Sequence, residues 1–176
     1  MKPTLILTIV LLVLLSALHA SESRDLIIVA GQSNAVGYDA YRDQLPVDPS
    51  DKEVLFWWRC GDPPPDDHDS TSGRKWTSLQ PQHRGNPLGK NAGQRQYGNF
   101  AKLEGGYGPE VGFCRELRAK EHKPLAVVKV AFSGTGMRTD WNPADPGDDG
   151  ACYRALISET KASIAAAKAL DHCCPV

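Results

Sequence analysis

The chain has 176 residues, of which 41% are hydrophobic and 23% are charged, and its formal net charge is -1. This size and composition fit one globular domain. The near-zero net charge and the absence of any long cluster of Lys and Arg argue against nucleic-acid binding.

The first twenty residues differ in composition from the rest. A positive Lys2 precedes an almost wholly apolar run from Thr4 to Leu18, and the small Ala20 is followed by polar residues. This pattern predicts a signal peptide over residues 1–20, a mature domain over 21–176, and a secreted or periplasmic protein. The alternative is an uncleaved membrane anchor, but a run of about 15 residues is short for a membrane span. We therefore expect no stable membrane insertion after cleavage.

The first predicted strand ends in a small polar loop. Five apolar residues, Leu26 to Ala30, stop abruptly at Gly31-Gln-Ser-Asn34. We interpret them as a buried strand that delivers the loop at its carboxyl end, where ligands bind in open α/β sheets. Ser33 is then a candidate nucleophile, and Gly31 and Gly37 allow tight turns. The alternative is a polar turn that only closes the strand.

A long stretch without a regular pattern follows a second predicted strand, Val54 to Trp58. From Arg59 to Gly106 neither a helical nor an alternating pattern is sustained, and Pro, Gly and Asp are frequent. We predict a surface insertion that shapes the mouth of a pocket. Trp76 and Tyr97 either stack on a sugar or pin the insertion to the body of the domain, and the sequence leaves both alternatives open.

Gly108-Pro-Glu110 predicts the start of a helix, because Pro fits the first helical position and Glu is favoured at the amino end. Pro124 marks its end. The predicted apolar face consists of Val111, Cys114 and Leu117, with Phe113 beside them.

The third predicted strand, Leu125 to Phe132, is nearly continuous in apolar residues, as strands buried on both faces are. It ends in a second Gly-rich loop, Ser133 to Gly136. Tyr153 to Leu170 is predicted as a helix. Its predicted apolar face consists of Leu156, Ile157, Thr160, Ile164 and Ala167.

The order of these elements predicts an α/β sandwich with a mainly parallel sheet. Three strands make a poor sheet, and the last helix leads to the place where a further strand would begin. We therefore expect the chain to be incomplete, truncated after the third main strand and the helix that follows it.

The sequence gives no indication of a metal or a cofactor. The five cysteines show no zinc-site spacing, and His68 and His83 have no partner at metal-ligand spacing. Disulfides are possible after export, but an odd number of cysteines does not define their pairing. Phosphate-binding fingerprints fail as well, because Asn91 follows Gly89-Lys90 and Thr139 stands where the dinucleotide fingerprint of Gly134 needs its last Gly.

Four sequence blocks carry a resemblance to a known family. They are Gly31-Gln-Ser-Asn34 with Gly37, Trp76 to Pro81, Gly108-Pro-Glu110, and Val128 to Thr135 with Trp141. In order and spacing they resemble the sialate O-acetylesterase and acetylxylan esterase family of the SGNH-hydrolase superfamily. The resemblance implies a flavodoxin-like, three-layer α/β/α sandwich. It also implies a serine esterase that removes O-acetyl groups from carbohydrates such as sialic acid or xylan.

The resemblance also implies roles for individual residues. Ser33 would be the nucleophile, and its backbone N–H would form part of the oxyanion hole. Gly108 and Gly134 are weaker candidates for oxyanion or pocket contacts. The side chains next to Ser33 are those of Gln32 and Asn34, which would hold the loop or touch the substrate. A further residue, Glu110, would either cap its helix or meet a ligand.

The sequence departs from the family pattern in two respects. Ser133 stands where the family usually has Gly, and no His follows an Asp by three residues, the spacing that marks the family's catalytic base. Asp171 and His172 are adjacent and cannot reproduce that geometry. We therefore expect the Asp and His of the triad to lie beyond residue 176. The alternative is a catalytically inactive remnant that at most binds a sugar or a protein.

Overall fold

The computed structural model describes residues 23–61, 70–83, 104–144 and 150–173. The predicted signal peptide and Tyr97 lie outside these ranges. The strands are β1 (Asp25–Gly31), β2 (Leu55–Gly61), β3 (Ser70–Thr71), β4 (Thr77–Ser78) and β5 (Leu125–Phe132). The α-helices are α1 (Ser33–Val36), α2 (Pro109–Glu121) and α3 (Ala151–Cys173), and two short 3-10 helices cover Arg42–Gln44 and Pro49–Glu53.

The strands form one mainly parallel sheet in the order β1-β5-β2-β3, with β4 also paired to β2. β5 runs parallel to both neighbours, and Ala131 lies opposite Gly31 of β1 and Cys60 of β2. The loops that follow these three strands therefore leave the same edge of the sheet. The short strands β3 and β4 are antiparallel to β2.

Helices cover both faces of the sheet. Val36 of α1 and Val111 of α2 pack in one core cluster with Val127 of β5. On the opposite face, Cys152 of α3 packs in a second cluster with Val130. The predicted three-layer α/β sandwich with a mainly parallel sheet is thus confirmed, and the flavodoxin-like strand order stays a prediction.

Strands β5 and β1 are both apolar in sequence, but they are buried to different extents. All eight residues of β5 are buried, as their nearly continuous apolar pattern predicted. The prediction of a buried β1 is wrong for the described sheet, because Leu26 is 39% and Ile28 is 49% exposed. Leu26 and Ile28 share one face of β1, whereas Ile27 and Val29 on the other face pack against the core, so this edge strand is covered on one face only in the described sheet.

The apolar faces predicted for the two long helices need correction. Phe113 of α2 is 53% exposed, whereas Val111 and Cys114 are buried. On α3, Ile157 is 36% and Ile164 is 40% exposed. The residues of α3 that are buried are small or polar: Cys152, Ala155, Glu159 and Ser163.

Two indoles donate hydrogen bonds to the buried face of α3. Trp57 of β2 donates from Nε1 to Glu159 Oε2 at 2.9 Å, and Trp76 donates from Nε1 to the carbonyl oxygen of Ser163 at 3.0 Å. Arg74 pairs with the second oxygen of Glu159 at 3.1 Å. A buried indole N–H needs an acceptor, and the Glu159 carboxylate supplies it for Trp57, whereas the acceptor for Trp76 is a backbone carbonyl.

The described part of the insertion after β2 is attached to the sheet by the short strands β3 and β4. The rings of Trp76 and Trp57 lie 5.7 Å apart in an edge arrangement. Together with the indole bond to α3, this packing supports the pinning role for Trp76. Among the described residues, no helix is both long and apolar enough to cross a membrane.

Cys114 is the buried thiol of α2, and it has no solvent exposure. Burial, and to a lesser extent the nearby carboxylates of Glu110 and Asp51, raises its pKa from 9.0 to about 12. The unfolded thiol ionises at lower pH than the folded one, so the unfolded state binds fewer protons between these values. The free energy of unfolding therefore contains a part that is lost as the pH rises from 9.0 toward 12.

This loss can be isolated with Cys114→Ala. We expect the free energy of unfolding, measured with urea at about pH 8 and about pH 10.5, to fall less steeply in the variant than in the wild type. Ionisation of other residues affects both proteins equally and cancels in the comparison. Equal slopes would show that the Cys114 thiol ionises as easily in the folded chain as in the unfolded one.

Candidate active site

Ser33 stands at a sharp turn from strand to helix. β1 ends at Gly31, Gln32 is extended, and Ser33 is the first residue of α1. The Ser33 hydroxyl donates to Gln32 Oε1 at 2.9 Å. Ser33 is half-buried, and Gln32 and Asn34 are exposed. The structure thus brings the three predicted residues of this loop together at the carboxyl end of a parallel strand.

A small open cavity of about 230 Å³ borders this turn. Its lining consists of Ser33, Asn34, Gly37, Tyr38, Asp39 and Ala40. The sequence did not predict that Tyr38 and Asp39 line the cavity, because the segment that contains them resembles an ordinary loop between two strands. Their position directly after Gly37 is the signal that could have found them.

Gly37 ends α1 in a left-handed conformation, with φ of 81°. A Cβ at this position would lie 1.8 Å from the backbone oxygen of Tyr107, so the two segments approach more closely than any side chain allows. The predicted need for glycine after the Ser33 turn is therefore confirmed here. Tyr107 directly precedes the Gly108 block, so this contact packs the block against the Ser33 turn.

Gly37→Ala is expected to lower the free energy of unfolding by at least about 2 kcal/mol, because both the backbone conformation and the contact with Tyr107 resist a side chain. Urea unfolding measures the loss. Gly73→Ala is the matched control, since Gly73 also has a positive φ, of 65°, but nothing within 4 Å of the added Cβ. Equal losses in the two variants would show that the close approach to Tyr107 has no energetic weight.

The predicted residues Gly108 and Glu110 belong to a buried polar network behind α1. Glu110 Oε1 accepts from the Gly108 N–H at 2.9 Å, from Gln82 Nε2 at 3.1 Å and from Lys129 Nζ at 2.9 Å. Glu110 and Lys129 both have 0% side-chain exposure. Glu110 thus caps its helix, as one alternative proposed. The Gly108 N–H donates to Glu110 Oε1, so it is not free to donate to an oxyanion at Ser33.

Lys129 completes this network and was missed in the sequence. Its Nζ donates to Gln82 Oε1 at 2.7 Å and to the carbonyl oxygen of Val36 at 2.9 Å. The only signal was a single Lys inside an otherwise apolar strand. A charged residue at such a position needs a buried partner.

The Gly134 loop follows β5 at the same sheet edge as the Ser33 turn. Gly134 has a φ of 70°. Thr135 Oγ1 donates to the Phe132 carbonyl oxygen at 2.7 Å and accepts from Trp141 Nε1 at 2.9 Å, which fixes the loop. Ser133 is 4% exposed, and its hydroxyl has no partner among the described residues. Gly134 is placed near the turn by the strand register, and its role stays a prediction.

The two histidines whose side chains are described do not line the Ser33 cavity. His83 Nε2 lies 3.2 Å from the carbonyl oxygen of Thr71 in β3, and its ring contacts Trp58. His122 ends α2 next to the start of β5, at the sheet edge opposite to the Ser33 turn. Within residues 23–61, 70–83, 104–144 and 150–173, no group of three His, Cys, Asp or Glu side chains could hold a metal.

Fold and site together define an α/β protein with a serine-bearing turn at the carboxyl end of a parallel strand. Residues 23–171 match the family described as carbohydrate esterase, sialic acid-specific acetylesterase. The chain belongs to this family of hydrolases that act on ester bonds, and the resemblance seen in the sequence is confirmed.

One similar solved structure is the X-ray structure of a protein from Arabidopsis thaliana. The sequence identity is 16% and the TM-score is 0.46, with 78% of this chain and 50% of that chain covered. This chain thus spans half the length of the protein it matches. No curated protein matches the chain.

Proposed function

We propose that the chain is the nucleophile-bearing part of an exported serine esterase that removes O-acetyl groups from carbohydrates. The observation that carries the proposal is the position of Ser33, on the turn after β1 and in the lining of the 230 Å³ cavity. Its Oγ would attack the acetyl carbonyl carbon, with loss of its proton to a base. The ester C–O bond would then break, the sugar hydroxyl would leave with that proton, and the acetyl group would remain on Oγ. The acyl-enzyme would then be hydrolysed to acetate.

The backbone around Ser33 supports stabilisation of the tetrahedral intermediate. The first N–H groups of a helix have no partner inside it, and Ser33 and Asn34 are the first two residues of α1. In this proposal the Ser33 N–H points to the developing oxyanion. Gly134, on the neighbouring loop, is the candidate for a further contact, and the exposed Asn34 amide is the candidate for a contact with the sugar.

The base is the missing part of the mechanism. The Ser33 hydroxyl donates to the amide oxygen of Gln32, which is not basic enough to remove the proton. Neither His83 nor His122 lines the cavity at Ser33, and among the described residues the Ser33 hydroxyl bonds to Gln32. We propose that the base is the His of an Asp-x-x-His motif beyond residue 176, and that residues 1–20 direct export.

Two measurements test this proposal. The coding DNA after Val176 should contain an in-frame or frameshifted continuation with Asp-x-x-His. The continued chain is the polypeptide that includes both the 176 residues and this continuation. The continued chain should hydrolyse an aryl acetate, whereas the 176-residue chain should not. Turnover by the 176-residue chain that Ser33→Ala abolishes would contradict a base beyond residue 176.

A second candidate function is an inactive module that binds an acetylated sugar or a protein. It is favoured by the absence of a histidine next to Ser33 in the described part of the chain. Titration calorimetry with acetylated and deacetylated xylan oligosaccharides distinguishes the two functions. Binding without turnover by the continued chain would support the module.

A further inference from the structure

The ammonium of Lys129 contacts the helix that carries Ser33. Its Nζ donates at 2.9 Å to the carbonyl oxygen of Val36, the last residue of α1. The last carbonyls of a helix have no partner inside it, and a cation is favoured at that end. α1 has four residues, which is too short for a helix to be stable alone, so its geometry depends on contacts of this kind.

The remaining donors of Lys129 are also occupied. Gln82 Oε1 lies at 2.7 Å and Glu110 Oε1 at 2.9 Å, which together with the Val36 oxygen gives three acceptors for the three hydrogens of an ammonium. This saturation fixes the position of Nζ. Lys129 itself belongs to β5, the fully buried central strand. The network thus ties α1 to the best-packed element of the sheet.

We propose that Lys129 is a positioning residue for the esterase, which holds the Ser33 hydroxyl toward the cavity by fixing α1 through the Val36 carbonyl. Glu110 and Gln82 keep the ammonium in place. Lys129 touches no reacting atom. The inference rests on the proposed function, because it takes Ser33 as the nucleophile. A shift of about 1 Å in a reacting group can reduce the rate by about 10²-fold, so loss of this contact should reduce turnover.

Two variants separate positioning from bulk stability. Lys129→Met removes the ammonium but leaves Glu110 as an uncompensated buried charge. The double variant Lys129→Met/Glu110→Gln leaves no such charge, so most of the stability should return. The control is Lys120→Met, on the exposed side of α2, where Lys120 pairs with Glu116 one turn away. Urea unfolding measures the stability of all three variants.

The local readout is hydrogen exchange at the four amides that close α1. Ala35 and Val36 donate to the Gln32 oxygen, and Gly37 and Tyr38 donate to the Ser33 oxygen. We expect exchange at these amides to be at least about tenfold faster in the double variant than in the wild type. Exchange in α3 should stay close to the wild-type value. In the continued chain, kcat should fall by at least about tenfold with KM within about twofold.

The result that would overturn the inference is a double variant in which both stability and exchange of the four amides return to wild-type values. Lys120→Met should change neither quantity. If Lys129→Met does not fold, stability and amide exchange in the double variant alone decide whether Lys129 fixes α1. If the wild-type continued chain shows no turnover, the esterase proposal fails, and the exchange measurement still shows whether Lys129 fixes α1.

Discussion

Ser33→Ala should reduce kcat of the continued chain on an aryl acetate by at least about 10³-fold, because loss of a serine nucleophile removes the covalent pathway. KM should change little, since the methyl side chain leaves the cavity open. The measurement is steady-state hydrolysis at several substrate concentrations. The stability of the variant should match the wild type, because the half-buried hydroxyl bonds only to the exposed Gln32 within the described chain.

Ser133→Ala is the matched control for this substitution. Ser133 follows the neighbouring strand β5, and its buried hydroxyl has no partner among the described residues. Removal of an unsatisfied buried hydroxyl is neutral or stabilising. We expect activity within about threefold of the wild type. A larger loss of activity with Ser133→Ala than with Ser33→Ala would show that the nucleophile lies on the loop after β5 and not on the turn after β1.

Glu110→Ala should lower the free energy of unfolding by about 3–5 kcal/mol, because it leaves the Lys129 ammonium buried without its carboxylate. The Gly108 N–H also loses its acceptor. Urea unfolding at neutral pH measures this loss. The substitution leaves the Ser33 side chain itself unchanged.

Glu116→Ala provides the comparison within the same helix. Glu116 is a solvent-exposed residue of α2 that pairs with Lys120 at 2.8 Å. Exposed pairs of this kind contribute little to stability. We therefore expect the unfolding midpoint of this variant to stay near that of the wild type. Similar losses of unfolding free energy in Glu110→Ala and Glu116→Ala would mean that the buried Glu110–Lys129 pair contributes no more to stability than the exposed Glu116–Lys120 pair.

The sequence predicted the elements that build the site, because each carries a strong local signal. The apolar run before Gly31 and the Pro-Glu pair after Gly108 gave the positions of β1 and α2. The register of the sheet strands, which brings their following loops to one end of the sheet, could not be read from the sequence. It depends on long-range pairing of β5 with its two neighbours.

The errors have a common physical cause. Apolar periodicity identifies which residues could be buried, but the packed partner decides which are. Ile157 and Ile164 fit a helical stripe, yet the buried side of α3 is the one whose Glu159 accepts from the Trp57 indole. In the same way, the apolar residues of β1 could not reveal that its strand lies at an edge of the described sheet.

The buried network was also beyond the sequence. Gln82, Glu110 and Lys129 are separated by 28 and 19 residues, and nothing local links them. Glu110 had an adequate local explanation as a helix cap, which the structure supports. Only the fold shows that the same carboxylate also holds the ammonium that contacts the Ser33 helix.

Covalent labelling of Ser33 tests most directly whether it is the nucleophile. A fluorophosphonate probe is incubated with the continued chain, and the tryptic peptide Asp25–Arg42, in which Ser33 is the sole serine, is sequenced by mass spectrometry. We expect a single stoichiometric adduct on Ser33, and none on this peptide in Ser33→Ala. Labelling of another residue, with Ser33 unmodified while the protein hydrolyses acetate esters, would contradict the assignment.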